Sequence, residues 1–432
     1  MSDYMFMLDS HLSSDQSRVV SDVQAAATLA NMNIFLTGGA MRDMLGGFPI
    51  GEIDFTVEGN TVKLAQTITK KTGGHVAWTD ENRKTVHLVF PTGVRATLAM
   101  ARQEKFPKPG AKPVVRPATI HEDLRGRDFT INSIALSLNP ASRGLLLDPN
   151  NGVGDLERKE LRAVSNYTLY DDPIRLLRLL RYKVKLGFNI EERTKMQYDN
   201  AREAQLESRI GSEELLEELR HIAGEPNCAD IVRTLEEEKL LPLFSPVLTG
   251  AKVNHAGLQK LQKARQMIPF GIDLRVESMG LFLYFLADKL SVKERAAFAK
   301  GIGLTRKETE QWQKLEEKAK KLEKELKSPK LQKPSHVYQL LFKAPGDLIL
   351  FLLAHSSERL AQDRIKNYLQ KYLPSAQEVT EKDVVAAGAV PGTPKFQKLR
   401  EQLIVTKLDS RPKKVPPPVE APPPSAPVLA RR

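Results

Sequence analysis

Residues 33–57 hold a short apolar strand, two glycines, a short helix and a second strand rich in β-branched residues. The first strand, Asn33–Thr37, runs into Gly38 and Gly39, and the pattern predicts a helix over residues 40–45. A Gly-Gly pair at a helix start lets backbone N–H groups approach a phosphate closely, and the helix dipole favours negative charge there. This order of elements favours an α/β domain with an anion site at the end of its first strand.

Two carboxylates, Glu52 and Asp54, stand two residues apart at the start of the second strand. Because residues i and i+2 of a strand lie on the same face, both side chains are expected to point the same way. Paired carboxylates can hold the hard divalent cations that phosphoryl transfer requires. Alone, a Gly-Gly pair is usually only a turn, and acidic pairs are common on exposed strands. Their occurrence together in so short a segment favours a phosphoryl-transfer site.

The periodic patterns change character near residue 148, which predicts several domains of an α+β fold class. We expect a head with a small mixed β-sheet over residues 1–147, an all-helical neck over 148–235, and a helical body and tail over 236–412. Residues 413–432 hold two runs of three prolines beside basic residues and are predicted to be disordered. The other predicted strands are 53–57, 75–79, 85–90 and 93–100, and the predicted helices include 20–32, 62–71, 173–186, 213–222 and the charge-rich stretch 306–327.

Composition bounds the partners and the compartment. The chain has 65 Lys and Arg against 53 Asp and Glu, a formal net charge of +12. Such a charge attracts phosphate-rich partners, but charge alone does not separate RNA from DNA or an anionic membrane. The sequence has no run of about 18 apolar residues and no export signal, so we expect no membrane partner. Cys228 is the only cysteine, which excludes an internal disulfide framework and favours a reducing, cytoplasmic setting.

Gly38-Gly39, Arg42-Asp43 and the acidic pair together resemble the signature of one family, the tRNA nucleotidyltransferases (CCA-adding) and bacterial poly(A) polymerases. In that family Gly-Gly-x-x-Arg-Asp precedes a metal-binding Asp-x-Asp. Further motifs follow in the order of the family, and the resemblance covers roughly residues 33–400. These motifs are Arg127-Asp128-Phe129-Thr130-Ile131-Asn132, then Leu147-Asp148-Pro149 with Gly152 and Asp155-Leu156, then Asp171-Asp172-Pro173-Ile174-Arg175 continuing to Arg178, and finally Lys382-Asp383 with Gly388 to Gly392.

The resemblance implies a template-independent RNA 3′-end nucleotidyltransferase that builds all or part of the CCA end of tRNA from CTP and ATP. It implies two Mg²⁺ ions held by Glu52 and Asp54, with Mn²⁺ as an alternative ion. RNA, above all the tRNA 3′ end, and ATP and CTP are the implied partners, and no obligate protein partner is evident. The implied nucleotide-binding residues are Gly38, Gly39, Arg42, Asp43, Arg127, Asp128, Asn132, Asp172, Arg175 and Arg178, and the implied RNA-binding residues are Lys382, Gly388 and Gly392.

Asp172 and Arg175 are expected to select the base. They stand three residues apart at the start of a predicted helix, hence on one face. A carboxylate acceptor beside a guanidinium fork can match the Watson–Crick edge of a base without a template. We also expect Asp171 or Asp172 to cap this helix, with Pro173 in its first turn. A capping Asp paired with an Arg of the same helix is the alternative, purely structural interpretation.

Four positions depart from the family pattern. Glu52 stands where the family usually has Asp, Thr97 where relatives often carry Asp, Gly126 replaces the first Arg of Arg-Arg-Asp, and Glu214 replaces an Arg in the neck. The extra methylene of Glu moves its oxygens by about a bond length, which metal-bound geometry tolerates poorly. Two alternatives therefore stay open. One is a poly(A) polymerase, which shares these motifs, and the other is a catalytically weakened relative that binds RNA.

Overall fold

The structure is a computed structural model that describes residues 3–269, 272, 274, 276–391 and 393–410. The predicted disordered tail, residues 413–432, lies outside the described residues. The described chain forms two compact units. The first holds the described residues up to 266 and those between 273 and 318, and the second holds the described residues between 267 and 272 and from 319 onward.

The first unit contains a sheet whose strand order is β3-β4-β5-β2-β1-β8-β9 among the described residues. Strands β2 and β5 pair in parallel, and the other neighbours in this sheet pair antiparallel. Strands β6 and β7 form a separate hairpin, and β10 and β11 a short parallel pair. The strands are β1 (Asn33–Thr37), β2 (Ile53–Glu58), β3 (His75–Asp80), β4 (Thr85–Val89), β5 (Arg95–Met100), β6 (Arg102–Lys105), β7 (Val114–Pro117), β8 (Ala135–Ser137), β9 (Leu146–Leu147), β10 (Glu160–Leu161) and β11 (Asn189–Ile190).

Helices make up most of the described chain after β9, and several also precede it. The helices of the whole described chain are α1 (Asp3–His11), α2 (Ser14–Leu29), α3 (Gly38–Leu45), α4 (Thr61–Thr72), α5 (Ile120–Arg125), α6 (Gly152–Arg158), α7 (Thr168–Asp171), α8 (Ile174–Leu186), α9 (Glu192–Glu203), α10 (Ser212–Gly224), α11 (Cys228–Glu237), α12 (His255–Gln266), α13 (Ser278–Leu286), α14 (Val292–Ile302), α15 (Arg306–Gln313), α16 (Leu315–Leu326), α17 (Pro334–Lys343), α18 (Gly346–His355), α19 (Arg359–Asn367), α20 (Leu373–Gln377), α21 (Glu381–Ala386) and α22 (Pro394–Asp409).

The period of two along the strands gives the sheet one apolar and one polar face. On β4 the side chains of Val86 and Leu88 are buried, whereas His87 between them is partly exposed. Helix α4 packs against β4 and β5 and buries Leu64 and Ile68. The face opposite α4 carries the polar side chains of the central strands, and it is this face that holds the candidate site.

Buried ion pairs join α8 to α10 and to Glu225 at its end. The guanidinium of Arg181 on α8 donates to Glu218 of α10, with Nε 2.6 Å from Oε1. Arg181 Nη1 also donates to Glu225 Oε1 at 3.3 Å. Loss of one partner of such a buried pair leaves an uncompensated charge, which is strongly destabilising. These contacts therefore fix the position of α8, which carries Arg175 in its first turn and directly follows Asp172 and Pro173.

The predicted α+β fold class is confirmed. Strand β1 has its predicted bounds, and the predicted strands over residues 53–57, 75–79, 85–90 and 93–100 correspond to β2 to β5. The stretch 306–327, predicted to be helical, is broken at Lys314, where α15 ends and the backbone leaves the helix. No single described helix is long and apolar enough to cross a membrane. The bent pair α17 and α18 reaches that length only when both helices, at 114° to each other, are counted together.

Candidate active site

The turn between β1 and α3 lies directly over Asp54. Gly38 has φ +61°, in the left-handed region that favours glycine. A Cβ at Gly39 would stand 2.9 Å from Asp54 Oδ2, so any larger residue would force this carboxylate to move. The backbone N–H of Ala40 donates to Asp54 Oδ2 at 3.3 Å. Helix α3 begins at Gly38, two residues earlier than predicted, so this N–H belongs to the first turn of the helix.

Glu52 lies on the same side as Asp54 and is held by two polar neighbours. Thr97 Oγ1 donates to Glu52 Oε1 at 2.5 Å, and His87 Nδ1 lies 3.6 Å from the same oxygen. Burial alone would raise the pKa of Glu52, but the nearby His87 and the hydrogen bond from Thr97 outweigh this effect and lower it. Glu52 is therefore a charged carboxylate already engaged by the residue at the Thr97 position.

The pKa of Asp54 is shifted in the opposite direction to that of Glu52. Burial and the negative charge of Glu52 raise the pKa of Asp54 to about 7, against the opposing effects of Arg42 and the Ala40 N–H. Two carboxylates on one face thus repel each other at this point of the sheet. A divalent cation would offset that repulsion, and carboxylate oxygens are the ligands that Mg²⁺ and Mn²⁺ prefer. The donor set of Glu52 and Asp54 fits such an ion.

Arg42 lies behind the glycine turn. It is 4% exposed, and its Nη2 pairs with Asp43 Oδ1 at 2.7 Å. Its Nη1 donates to Asn132 Oδ1 at 2.9 Å, and its guanidinium carbon stands 5.1 Å from the ring centre of Tyr182. In the described structure Arg42 thus joins α3 to the segment after α5 and to α8. Contact of Arg42 and Asp43 with a nucleotide stays a prediction.

Arg127 reaches the site from the end of α5. Its Nη2 pairs with Asp123 Oδ2 at 2.6 Å and donates to Thr56 Oγ1 at 2.9 Å. Its Nη1 lies 3.8 Å from the position that a Cβ of Gly38 would occupy, so the guanidinium borders the glycine turn. Burial alone would lower the pKa of Arg127, but the charge of Asp123 outweighs it and raises it. Arg127 is a fixed cation beside the turn.

Asp128 connects the second motif to α8. Its Oδ1 accepts from the backbone N–H of Phe129 at 2.7 Å and from Asn132 Nδ2 at 3.0 Å. Arg178 Nη1 lies 3.5 Å from Asp128 Oδ2. The three predicted residues Asp128, Asn132 and Arg178 therefore form one hydrogen-bonded group that joins the segment after α5 to α8.

Asp172 and Arg175 form the predicted pair on one face. Arg175 Nε donates to Asp172 Oδ2 at 3.1 Å, and the two residues are 7% and 3% exposed for Arg175 and Asp172. The expectation that Asp171 or Asp172 caps α8 is wrong. Pro173 occupies the N-cap position, and no side chain accepts from the first N–H groups of the helix. The reason is that the Asp172 carboxylate is engaged by Arg175 instead.

One cavity of about 290 Å³ brings most of the predicted residues together. Five residues that were not predicted from the sequence also border it. Arg102 Nε and Arg83 Nε donate to Glu104 Oε1 at 2.7 and 3.1 Å, and Asp123 anchors Arg127. The opposite charges of Arg102 and Glu104, two residues apart and hence on one face of β6, were the available signal. Predicted residues that line the cavity are Gly38, Gly39, Asp54, Arg127, Asp128, Asn132, Asp172, Arg175 and Arg178; the missed ones are Arg83, Arg102, Glu104, Asp123 and Tyr182.

The sequence that builds this cavity is similar to that of known proteins. The sequence profile of the poly A polymerase head domain matches residues 34–162, the segment from β1 to β10. The A-adding tRNA nucleotidyltransferase of Aquifex aeolicus is 29% identical over 344 residues, which is 79% of this chain and 40% of that protein. The A-adding enzyme of Halalkalibacterium halodurans is 36% identical over 194 residues, 45% of each chain. Residues 34–162 are thus similar to the poly A polymerase head domain, and a larger part of the chain is similar to A-adding tRNA nucleotidyltransferases.

A solved structure of a CCA-adding enzyme in its apo form has the same fold as this chain. It is 24% identical, has a TM-score of 0.54, and the match covers 95% of this chain and 96% of that chain. The chain spans less than half the length of the two A-adding relatives that it matches. Nucleotidyltransferases of this family are normally metal-dependent.

The family pattern explains what the four departures mean in space. Asp54 and Thr97 are direct partners in the parallel pairing of β2 and β5, so the carboxylate that relatives often carry at 97 would stand beside Asp54. Here a hydroxyl stands there and binds Glu52. Gly126 ends α5 and borders the cavity. Glu214 accepts from the backbone N–H of Gly211 at 3.3 Å at the start of α10.

The predicted RNA-binding residues belong to the second unit. Lys382 is exposed on α21, and Gly388 has φ +91° in the turn after that helix. Gly392 lies outside the described residues. Their contact with RNA stays a prediction.

Proposed function

We propose that this protein adds nucleotides to the 3′ end of tRNA without a template. The observation that supports the proposal most is the shared cavity of Asp54, the glycine turn, Arg127 and the Asp172–Arg175 pair. In the reaction the RNA 3′ oxygen bonds to the α-phosphorus of the incoming nucleotide. The bond from that phosphorus to the bridging oxygen breaks, and pyrophosphate leaves.

Glu52 and Asp54 would hold the divalent cation, Mg²⁺ or alternatively Mn²⁺, with two ions in all as the mechanism of such enzymes requires. Among the described residues no group of three His, Cys, Asp or Glu side chains is arranged to hold a metal. Mg²⁺ is commonly bound through one or two carboxylates, with substrate phosphates and waters completing its shell. When bound, the ion neutralises the triphosphate and favours the deprotonated RNA hydroxyl.

The other side chains of the cavity would hold the nucleotide. The N–H groups at the start of α3 and the guanidinium of Arg127 favour the triphosphate, because both present positive charge at the same turn. Asp172 would accept from the exocyclic amino group that adenine and cytosine share. Arg175 would donate to an acceptor atom of the base ring.

Addition of the terminal A is the form of the reaction that the relatives favour. Both tRNA nucleotidyltransferases described above are named A-adding enzymes. ATP, CTP and the tRNA 3′ end are the proposed substrates, and the cytoplasm is the proposed compartment. A complete CCA-adding activity would use the same residues, since one Asp–Arg pair can serve both bases.

Incubation with tRNA transcripts tests the proposal. One transcript ends before the CCA sequence and another ends in CC, and each is mixed with a single labelled nucleoside triphosphate and Mg²⁺. The proposal predicts addition of one A to the transcript that ends in CC. Addition of C to the shorter transcript indicates CC- or CCA-synthesis instead, and absence of any incorporation by the folded protein contradicts the proposal.

Two alternatives have specific observations in their favour. A poly(A) polymerase is favoured by the profile that matches the head, and it would give a long ladder of A on either transcript. A weakened relative that binds RNA is favoured by Thr97, which replaces a carboxylate beside Asp54 and occupies an oxygen of Glu52. Such a protein would bind both transcripts and extend neither.

A further inference from the structure

A row of four side chains crosses the polar face of the sheet from the active site to its edge. Asp54 on β2 pairs with Thr97 on β5, Thr97 pairs with His87 on β4, and His87 pairs with Trp78 on β3. Direct partners in neighbouring strands have their side chains on the same face. The row therefore starts at the proposed metal-binding Asp54 and ends in two rings, His87 and Trp78.

The two rings pack on each other and remain open to solvent. Their centroids are 5.0 Å apart with an interplanar angle of 31°. Trp78 is 50% exposed although it is among the largest apolar side chains, and the side chain of His87 is 33% exposed. Strand β3 is an edge strand of this sheet. An exposed Trp stacked on a His is a surface of the kind on which single-stranded bases stack.

The spacing of the strands fixes how far this surface lies from the reaction. Neighbouring strands are about 4.8 Å apart, so His87 and Trp78 are roughly 10 and 14 Å from Asp54 along the sheet. Stacked nucleotides rise about 3.4 Å each, so these distances correspond to about three nucleotides for His87 and about four for Trp78. His87 Nδ1 also lies 3.6 Å from Glu52 Oε1, which places the near ring against the acidic pair.

We propose that Trp78 and His87 form an aromatic platform on which a base among the last unpaired nucleotides of the RNA primer stacks. The inference rests on the proposed function, because it takes the RNA 3′ oxygen to be at Asp54. The chemistry that recognises the ligand is base–ring stacking, which is tolerant of base identity. The platform would position the primer end without selecting the incoming nucleotide, which is the task assigned to Asp172 and Arg175.

Kinetics of matched variants test the platform. Trp78→Ala should raise the KM for a hairpin RNA with a short unpaired 3′ tail by at least about fivefold, with the KM for ATP unchanged. Trp78→Phe keeps an aromatic face and should stay within about twofold of wild type. Val76→Ala is the control, because Val76 is a similarly exposed residue of β3 that pairs with Leu88 on the opposite face. Equal effects of Trp78→Ala and Val76→Ala would overturn the proposal, since both would then act through the edge strand alone.

Fluorescence separates this proposal from the proposed function. The chain has two tryptophans, Trp78 and the buried Trp312. Quenching by the hairpin RNA that is present in wild type and absent in Trp78→Phe reports on Trp78 without any reaction. If wild type extends no RNA but shows this quenching, the proposed function fails and the platform stands. The proposal would be overturned if RNA did not quench the fluorescence of Trp78. It would also be overturned if ATP but not RNA quenched it and Trp78→Ala raised the KM for ATP.

Discussion

Around Asp54 single side chains with opposite charges are held at fixed distances. Burial and Glu52 raise the pKa of Asp54 to about 7, while Arg127 stands beside the glycine turn that covers it. Glu52 is tied to Thr97 by a 2.5 Å hydrogen bond. The chemistry depends on whether a divalent cation or the Thr97 hydroxyl binds the Glu52 oxygens. The substitution Glu52→Asp, which removes one methylene, distinguishes the two.

Glu52→Asp should keep or raise the rate of nucleotide addition with Mg²⁺. The shorter side chain restores the reach usual in the family and releases the carboxylate from Thr97. The rate is measured with Mg²⁺ and with Mn²⁺ for both proteins. The ratio of the Mn²⁺ rate to the Mg²⁺ rate is expected to be smaller in the variant than in wild type. Absence of incorporation in both proteins with either metal would favour the weakened relative.

At the scale of elements, α8 and the β6–β7 hairpin border the cavity from two directions. Helix α8 presents Arg175, with Asp172 just before its start, and the hairpin presents Arg102 and Glu104. The helix is held by the buried pairs of Arg181, and the hairpin by the two guanidinium groups on Glu104. The first element is expected to govern base choice, and the second the response of stability to acid.

Changes at Asp172 and Arg175 should reduce base choice before they reduce the overall rate. A hydrogen bond to a charged partner is worth about 1.5–3 kcal/mol, so Asp172→Ala should lower discrimination against UTP and GTP roughly ten- to a hundredfold. The measurement is kcat/KM for all four nucleotides, with the exposed Lys183→Ala of the same helix as control. An equal slowing of every nucleotide would mean that the pair is structural.

The charge of Glu104 is expected to stabilise the fold at neutral pH, and this stabilisation should be lost in acid. Burial alone would raise its pKa, but Arg102 and Arg83 outweigh it and lower the pKa of Glu104 from 4.5 to about 2. Because the folded pKa is the lower one, the contribution is present above about pH 5 and is lost as pH falls toward 2. It amounts to roughly 3 kcal/mol at most.

Denaturant unfolding of Glu104→Gln at several pH values checks this. The free energy of unfolding of the variant should lie below that of wild type at pH 7, and the gap should close as pH falls. Glu81→Gln is the control, since Glu81 is exposed and pairs only with Lys84 at 3.5 Å among its described contacts. A gap that is the same at pH 7 and at pH 3 would show that Glu104 acts through packing and not through its charge.

At the scale of the whole molecule, the net charge of +12 is expected to govern the strength of RNA binding. Deletion of residues 413–432 should weaken RNA binding a few-fold at low salt and hardly at all at high salt, without affecting folding or base choice. Exchange of Lys413, Lys414, Arg431 and Arg432 for Gln should reproduce the effect. A change in base choice on deletion would contradict this account of the tail.

The sequence alone predicted the elements whose pattern is local. A short apolar run marked β1, β-branched residues marked β2, and strand-like runs marked β3 to β5. The glycine turn with its acidic pair marked the place where the cavity lies. Hairpin β6–β7 was missed because Arg102 to Lys105 is polar on both faces, so no alternation appears. The break at Lys314 lies within a continuous helical pattern, and the cap of α8 was wrongly predicted because Arg175 competes for Asp172.

Long-range pairing explains the remaining differences. The parallel pairing of β2 with β5 sets Thr97 beside Asp54, although the two residues are far apart in the chain. Likewise Arg83 and Glu104 meet across 21 residues. Neither contact has a local signature, so the partners of the predicted residues became visible only in the folded chain.

The most direct test of the central claim is the rate at which Asp54→Asn adds A to a tRNA transcript ending in CC, with Mg²⁺ and saturating ATP. The amide keeps the shape of the side chain but removes a charged ligand, so we predict that addition is abolished while thermal unfolding and RNA binding stay near wild type. Asp22→Asn, which removes a carboxylate of α2 that pairs with Lys71, should leave the rate unchanged. An Asp54→Asn protein with at least about half of the wild-type rate would contradict the assignment of this site.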